Sequence, residues 1–371
     1  MQWSGYGIRR YHLLQGVLTG MSIQRKGKSG RKDGDHHRYV SGGLRLVKSE
    51  AVCYIICRST FQVSVAGANT GIGKETAKEF VKRGARVILA CRDMERCKKA
   101  RREIYLAAKA AQPFGNVNHY AKKKPQILCE LLDLASHESV RAFGATMQAE
   151  KRIDYLINNA ATMRDPQRKL TKDGLEKQMG VNHFGHFLLT GLLLGKLQAS
   201  SPSRIVVLSS TAHYRGDLNF ANLNWDEDYD PGAAYNASKL ANVLFTRQLS
   251  TRLASTSVTV NAVHPGLVYT ELFRNMSFAK SMTSYITAPI MWFFMKSARA
   301  GAQTTLYVAL SPDLEGVSGK YFSNCQEAAP SDRALDEEMA RRLWAVSEKW
   351  TGWSMDQVPP LSALSASAAK S

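Results

Sequence analysis

The sequence predicts an α/β protein: a single domain built on a doubly wound parallel sheet of about seven strands, with helices on both faces. Three observations predict it. Short apolar runs alternate with longer stretches of helical periodicity from Phe61 to Thr351. Runs such as Val87–Ala90 and Ile205–Leu208 are apolar throughout, as strands buried on both faces require. The first run leads directly into a glycine-rich turn, AGANTGIG over Ala66–Gly73, which opens a helix.

Phe61–Ala66 (FQVSVA) reads as the first strand, and the helix after the turn runs to about Arg83. Gly67, Gly71 and Gly73 let the backbone and a pyrophosphate approach each other, and the helix N-terminus offers amide donors and a positive dipole end. This is a Rossmann-type arrangement, with Asn69, Thr70 and Ile72 completing the candidate cofactor turn. Arg86–Ala90 (RVILA) is the second strand, ending at Cys91-Arg92-Asp93. A carboxylate near this point holds a ribose 2′-hydroxyl and selects NAD(H), whereas an arginine accepts the 2′-phosphate of NADP(H). Arg92 stands first after the strand, which favours NADP(H); Asp93 beside it leaves NAD(H) open.

Residues 107–125 are polar, aperiodic and carry the lysine triplet Lys122–Lys124, so they read as a surface loop. Gln126–Leu132 is the third strand, with Asp133 and Leu134 at its C-terminal end, and Asp154–Asn158 is the fourth, followed by Asn159. Lys172–Ala199 reads as one long helix containing Asn182. Ile205–Ser209 is the fifth strand, and Ser210 follows at its C-terminal edge, where ligands bind in open α/β sheets. Val258–Val263 is the sixth, leading into Pro265 and Gly266. Ala298–Leu310 and Asp336–Thr351 are helices, and Lys320–Phe322 is the last strand.

The chemistry centres on Tyr235 and Lys239, four residues apart in an Ala/Leu-rich run (AAYNASKLANVLFTRQL) and therefore on one helix face. A tyrosine is a poor acid or base at neutral pH, and a nearby ammonium favours its phenolate. The pair suits proton transfer in carbonyl/alcohol interconversion. Alone, such a pair is far more often a solvated helix face.

Its neighbours in sequence resolve that choice. The words GANTGIGKETA, ILACRDMERC, LCELLDLAS, DGLEKQMGVNHFGHFLLT, SKLANVLFTRQLS, VTVNAVHPG, VSGKYF and ARRLWAVSEKWTG run in order from about Val65 to Gly352. In this order and spacing the chain resembles the short-chain dehydrogenase/reductase family, within it the retinol dehydrogenase branch, and there the mitochondrial member most of all. The resemblance implies a catalytic set of Asn182, Ser210, Tyr235 and Lys239. Tyr235 would give or take the proton, and Ser210 would orient the substrate oxygen. Lys239 would lower the tyrosine pKa and bind the nicotinamide ribose. Asn182 would kink its helix and hold a water joining the relay. It also implies that Asp133 meets the adenine side, that Asn159 borders the cofactor, that Pro265 and Gly266 pass under the nicotinamide, and that Thr270 reaches the cofactor.

The chain departs from the family pattern at Ala66, which removes a threonine hydroxyl that braces the turn, and at Ala161, which replaces a glycine. Those departures motivate a second reading, a catalytically idle cofactor-binding or scaffold protein. A third is a lipid or steroid carbonyl reductase on the same fold. Arg274–Phe294, ending in a dense aromatic and Met-rich stretch, matches the family's substrate cover, which implies a small apolar carbonyl/alcohol substrate of retinoid or fatty-aldehyde type. Its apolar part is too short to span a bilayer and long enough for a peripheral membrane contact. His183 and His186 lie one turn apart without an evident third ligand, so no metal is expected.

The ends stand outside this domain, which covers 61–352. Residues 1–60 are basic, with no acid before Asp33, and read as a targeting or disordered segment. That composition and the resemblance place the protein at a mitochondrial membrane surface, with the endoplasmic reticulum membrane or cytoplasm as alternatives. Residues 353–371 read as a flexible tail. The 371-residue chain carries a formal charge of +19, without a nucleic-acid-binding module. An anionic cofactor or membrane surface accounts for such charge as well. The six cysteines have irregular spacing and predict neither a zinc site nor a disulfide framework. Relatives pair through the two long helices, which implies a homodimer.

Overall fold

The apolar runs pair as an eight-stranded sheet in the order β3-β2-β1-β4-β5-β6-β7-β8. The strands are Gln62–Ala66 (β1), Arg86–Cys91 (β2), Ile127–Leu131 (β3), Tyr155–Asn158 (β4), Ser203–Leu208 (β5), Val258–His264 (β6), Tyr321–Ser323 (β7) and Gln326–Glu327 (β8). The computed structural model describes residues 61–111, 124–268 and 295–359. The readings made for residues 1–60, for Lys122–Lys123, for Thr270 and for Arg274–Phe294 lie outside them. The strands from β3 to β7 run parallel. The eighth adds one strand to the expected seven: the polar pair Gln326–Glu327 folds back antiparallel on β7, too short and too polar to register as a strand in sequence.

Side chains alternate across the sheet, as the pleat requires. Val63, Val65, Val87, Leu89, Ile157, Val206 and Leu208 point to one face. There they meet Gly71–Lys82 (α1), Met94–Ala110 (α2) and Ala298–Leu310 (α6) through residues such as Phe80, Ile104 and Leu306. Ala66, Ile88, Leu156, Ile205 and Val207 point to the other. They meet His137–Gln148 (α3), the helix α4 through Gly185–Ala199, and Pro231–Arg252 (α5) through Phe143, Leu193 and Phe245. Each fully buried side chain of this size contributes about 1.5–3 kcal/mol, so two filled faces hold the sheet edge on which the candidate site is built. The closing helix Glu337–Thr351 (α7) adds an outer layer, with Trp344 stacked on Phe245 at 6.1 Å between centroids.

Four expectations are corrected. The long helix begins at Lys177 rather than Lys172. It makes one turn, Lys177–Met179, widens into a π-turn at Gly180–Phe184, and continues as Gly185–Ala199; together these are α4. The chain before it is held open by an antiparallel bridge between Leu170 and Glu176. The start of the predicted loop, 107–110, is instead the end of α2. Trp353 does not belong to a flexible tail: it is buried against Gly191 of α4, where a Cβ would fall 2.4 Å from the indole, and it packs edge-on to Phe187. Finally, Cys97 on α2 and Cys129 on β3 form a disulfide with a Cα–Cα separation of 6.0 Å. Their irregular spacing hid the pair, because only the packing of α2 over the β3 edge brings them together. Among the described residues, no helix is long and apolar enough to cross a membrane.

Candidate active site

The C-terminal ends of β1, β2, β4, β5 and β6 open into one cleft of about 880 Å³, toward the upper end of ligand-site volumes of roughly 300–1,000 Å³. Gly67, Asn69, Thr70, Gly71 and Ile72 line one end; Ser210, Tyr235 and Lys239 line the other. Between and around them stand Arg92, Asp133, Leu134, Asn159, Pro265 and Gly266.

The glycine turn is built for close approach. Gly67 and Gly71 sit at positive φ, 71° and 56°, which glycine adopts without steric cost. Gly73 does not line the cleft but lies beneath it: a Cβ there would fall 2.4 Å from the Gly67 carbonyl oxygen and 2.5 Å from Asn159 Nδ2. That amide nitrogen donates to the carbonyls of Ala66 and Gly67 at 3.1 and 3.2 Å. Asn159 thus braces the turn beside Ala66, which has no hydroxyl to do so. At the head of α1, Thr70 makes no side-chain cap and the first turn holds no acid. The amides there are available to an anion, the arrangement a dinucleotide pyrophosphate requires. Arg92 is exposed at the far end. Asp93, its competitor, caps α2 by accepting the Arg96 N–H at 3.0 Å. Arg96, which sequence reasoning did not single out, also lines the cleft. Asp133 is anchored by a hydrogen bond from the Ala135 N–H to its Oδ1 at 3.0 Å.

At the other end, α5 carries Tyr235 and Lys239 on the face turned to β5. Tyr235 is 7% exposed and Lys239 2%. The Ser210 hydroxyl lies beside the Tyr235 phenol in the cleft wall. His213 holds Ser210 from behind: its Nδ1 donates to the Ser210 carbonyl at 2.7 Å, and its Nε2 accepts the Ser331 N–H at 3.1 Å. Both ring nitrogens being so used, burial keeps the imidazole below its usual pKa and neutral. Ser209 faces away and donates to the Lys239 carbonyl at 2.8 Å, a structural role.

Burial pushes the Tyr235 phenol up to about 12, offset in part by the Ser210 hydroxyl and by the charge of Arg164. Lys239 lies over the ring of Tyr235. Its Nζ stands 5.6 Å from the ring centroid and donates to the Leu208 carbonyl at 3.1 Å, and burial brings its own pKa down to about 8. Arg164, which lines the same cleft, is a residue no sequence signal identified.

Asn182 is wholly buried inside the π-turn of α4. Its amide locks α4 to the chain after β4: Oδ1 accepts the Thr162 N–H at 2.8 Å, and Nδ2 donates to the Thr162 carbonyl and to Ser238 Oγ, each at 2.9 Å. Its backbone carbonyl accepts from His186 Nδ1 at 3.1 Å. Asn182 therefore ties α4 to α5 one residue away from Lys239.

The arrangement joins an anion-receiving turn to a half-buried serine and a buried Tyr–Lys pair in one cleft, the layout of a dinucleotide-dependent oxidoreductase. Comparison with known proteins agrees. The short chain dehydrogenase family model matches residues 62–280. Mouse retinol dehydrogenase 13 is 49% identical over 301 residues, covering 80% of this chain and 86% of that protein. Human retinol dehydrogenase 14 is 47% identical over 295 residues, covering 78% and 86%. Among solved structures, an uncharacterized protein from Mycobacterium paratuberculosis superposes with a TM-score of 0.62 at 34% identity, over 81% of this chain and 96% of that one. Actinorhodin polyketide ketoreductase, solved with NADPH, shares the fold with a TM-score of 0.54 at 23% identity, over 72% and 96%. The chain belongs to the short-chain dehydrogenase/reductase family, in its retinol dehydrogenase branch, and is an oxidoreductase of that family.

Proposed function

We propose that the protein is an NADP(H)-dependent oxidoreductase that interconverts an apolar alcohol and its aldehyde or ketone, of the retinol/retinal type, with Tyr235 as the proton donor and acceptor. The observation that carries this reading is the meeting of Ser210, Tyr235 and Lys239 in the same cleft as the Gly67–Gly73 turn.

The turn and the head of α1 would hold the cofactor pyrophosphate, Asp133 would face the adenosine end, and Lys239 would reach the nicotinamide ribose. Arg92 would take the 2′-phosphate, since Asp93 has turned one oxygen to its own helix. When bound, the nicotinamide supplies or accepts the hydride. The chain does the rest. Ser210 donates to the substrate oxygen and stabilises the charge that develops there. Tyr235 passes its phenolic proton to that oxygen in reduction and recovers it in oxidation. His213 keeps Ser210 in place. The apolar substrate class is supported by the retinol dehydrogenase relatives. The chain leaves and re-enters beside the cleft at Val268 and Met295, where the Lys296 N–H donates to the Leu267 carbonyl at 2.7 Å.

The test is consumption of NADPH with all-trans-retinal, run beside NADH and beside Tyr235→Phe. The expected result is turnover with NADPH that falls on the order of a hundredfold or more in the variant. Cofactor binding without turnover of retinal or of a panel of apolar aldehydes and ketones would favour the idle reading instead.

A further inference from the structure

Arg164 differs from an ordinary surface cation in three respects. Its backbone lies in the left-handed region, φ 49°, which a residue with a side chain seldom adopts. That conformation is imposed from outside. The Arg164 N–H donates to Gln178 Oε1 at 2.6 Å, and the buried Gln178 amide donates in turn to Tyr229 Oη and to the Pro231 carbonyl, each at 3.1 Å. The side chain is carried over the first turn of α5: a Cβ at Gly232 would lie 3.9 Å from Arg164 Cζ and Nη2. Gly232 is one turn before Tyr235 and on the same helix face. Held strain of this kind concentrates at functional sites.

Among the described residues, the guanidinium also makes no close ion pair, although Asp230 Oδ1 lies 3.1 Å from the same Gly232 Cβ position. Asp165 is engaged by Lys169 and Lys177 at 3.0 Å each, and Asp230 caps α5 through the Ala233 N–H. Among the described residues, no carboxylate forms an ion pair with Arg164. The other charged or titratable groups around Tyr235 are Lys239 on α5, His213 behind Ser210, Tyr214 and Arg215 in the turn that follows Ser210, His264 at the end of β6, Lys177 at the foot of α4 and Asp230 at the head of α5. Lys177 shares the single charge of Asp165 with Lys169, and burial keeps both histidines uncharged. The Lys239 ammonium is directed to the Leu208 carbonyl.

We infer that Arg164 is a positioning residue that holds a second positive charge beside Tyr235 and so favours the phenolate used in alcohol oxidation. The inference rests on the function proposed above and adds a residue that the Ser–Tyr–Lys set does not contain. The charge acts at the mouth of the cleft, through solvent, so its effect is screened by salt, whereas a packing role is not.

Two variants separate charge from backbone. Arg164→Asn removes the charge and keeps a residue that tolerates the left-handed region; Arg164→Lys keeps the charge. The measurement is kcat/KM against pH for oxidation of all-trans-retinol with NADP+, at low and at high ionic strength. Oxidation needs the phenolate, so the rate falls on the acid side of the Tyr235 pKa, and loss of a nearby cation raises that pKa. Arg164→Asn should move the acid limb upward by about 0.5–1 pH unit at low salt. Arg164→Lys should stay near the wild type, and high salt should close most of the gap. An acid limb in Arg164→Asn that coincides with the wild type, or a gap indifferent to salt, overturns the inference and leaves the proposed function standing. Failure of the wild type to oxidise any alcohol would instead remove the functional reading, and this inference with it.

Discussion

Lys239→Met should make the cofactor-free protein more stable while abolishing its activity. Lys239 is 2% exposed, and its Nζ has one hydrogen bond, to the Leu208 carbonyl at 3.1 Å. Burial brings its pKa from the usual 10.5 down to about 8. At about 1.4 kcal/mol per tenfold change in proton affinity, holding the charged form in this site costs roughly 3 kcal/mol. The sign follows from proton counts. Below about pH 8 the lysine is charged in both the folded and unfolded states, so the whole penalty is present. Between about pH 8 and 10.5 the unfolded chain binds the proton and the folded one does not, so wild-type stability rises with pH across that window. Methionine has a similar length and no charge. It leaves the Leu208 carbonyl partnered, because Asn242 Nδ2 also donates to it, at 3.0 Å. At pH 7 the variant should therefore be more stable by about 2–3 kcal/mol, and the advantage should shrink toward zero by pH 10. Urea unfolding of the two proteins at pH 7, 8.5 and 10 measures both quantities. A variant less stable than the wild type at pH 7, or an advantage that does not change with pH, would refute the account of Lys239 as an unpaired buried cation.

Other perturbations test the frame around it. Gly73→Ala places a Cβ 2.4 Å from the Gly67 carbonyl oxygen; it should cost about 1–3 kcal/mol and weaken dinucleotide binding at least tenfold in a calorimetric titration. Gly84→Ala, at φ 83° with nothing within 4 Å, should lower stability through backbone strain and leave dinucleotide binding unchanged. Trp353→Ala removes an indole packed on Gly191 and Phe187 and should cost about 3–5 kcal/mol in a denaturant titration; a wild-type midpoint would return residues near 353 to the status of a tail. Arg92→Gln should raise the NADPH dissociation constant about tenfold or more and leave that of NADH nearly unchanged.

Much of this molecule is set by short-range sequence pattern. Continuous apolar runs such as Val87–Ala90 and Ile205–Leu208 announce strands covered on both faces, because no polar residue interrupts them. The turn Gly67–Gly73 announces itself because only glycine fits its positive φ angles and its contact beneath the cleft. Tyr235 and Lys239 share a helix face by spacing alone, and Ser210 is placed by the end of its strand.

Contacts between distant elements were decided by the tertiary structure. Nothing local in Gln326–Glu327 marks a strand; β7 supplies the partner. Cys97 and Cys129 are joined only because α2 lies across β3. Trp353 looks like the start of a polar tail until the groove at Gly191 receives it. Likewise His213 and Arg164 gain their places from Ser331, Gln178 and the head of α5, far away in sequence. The surroundings of Lys239 are the clearest case. Its proximity to Tyr235 follows from helical periodicity, but its burial and the direction of its ammonium follow from how α5 packs on β5. Spacing along one chain segment fixes which side chains are neighbours on a helix, and only the packing of other segments fixes how much water and which charges surround them.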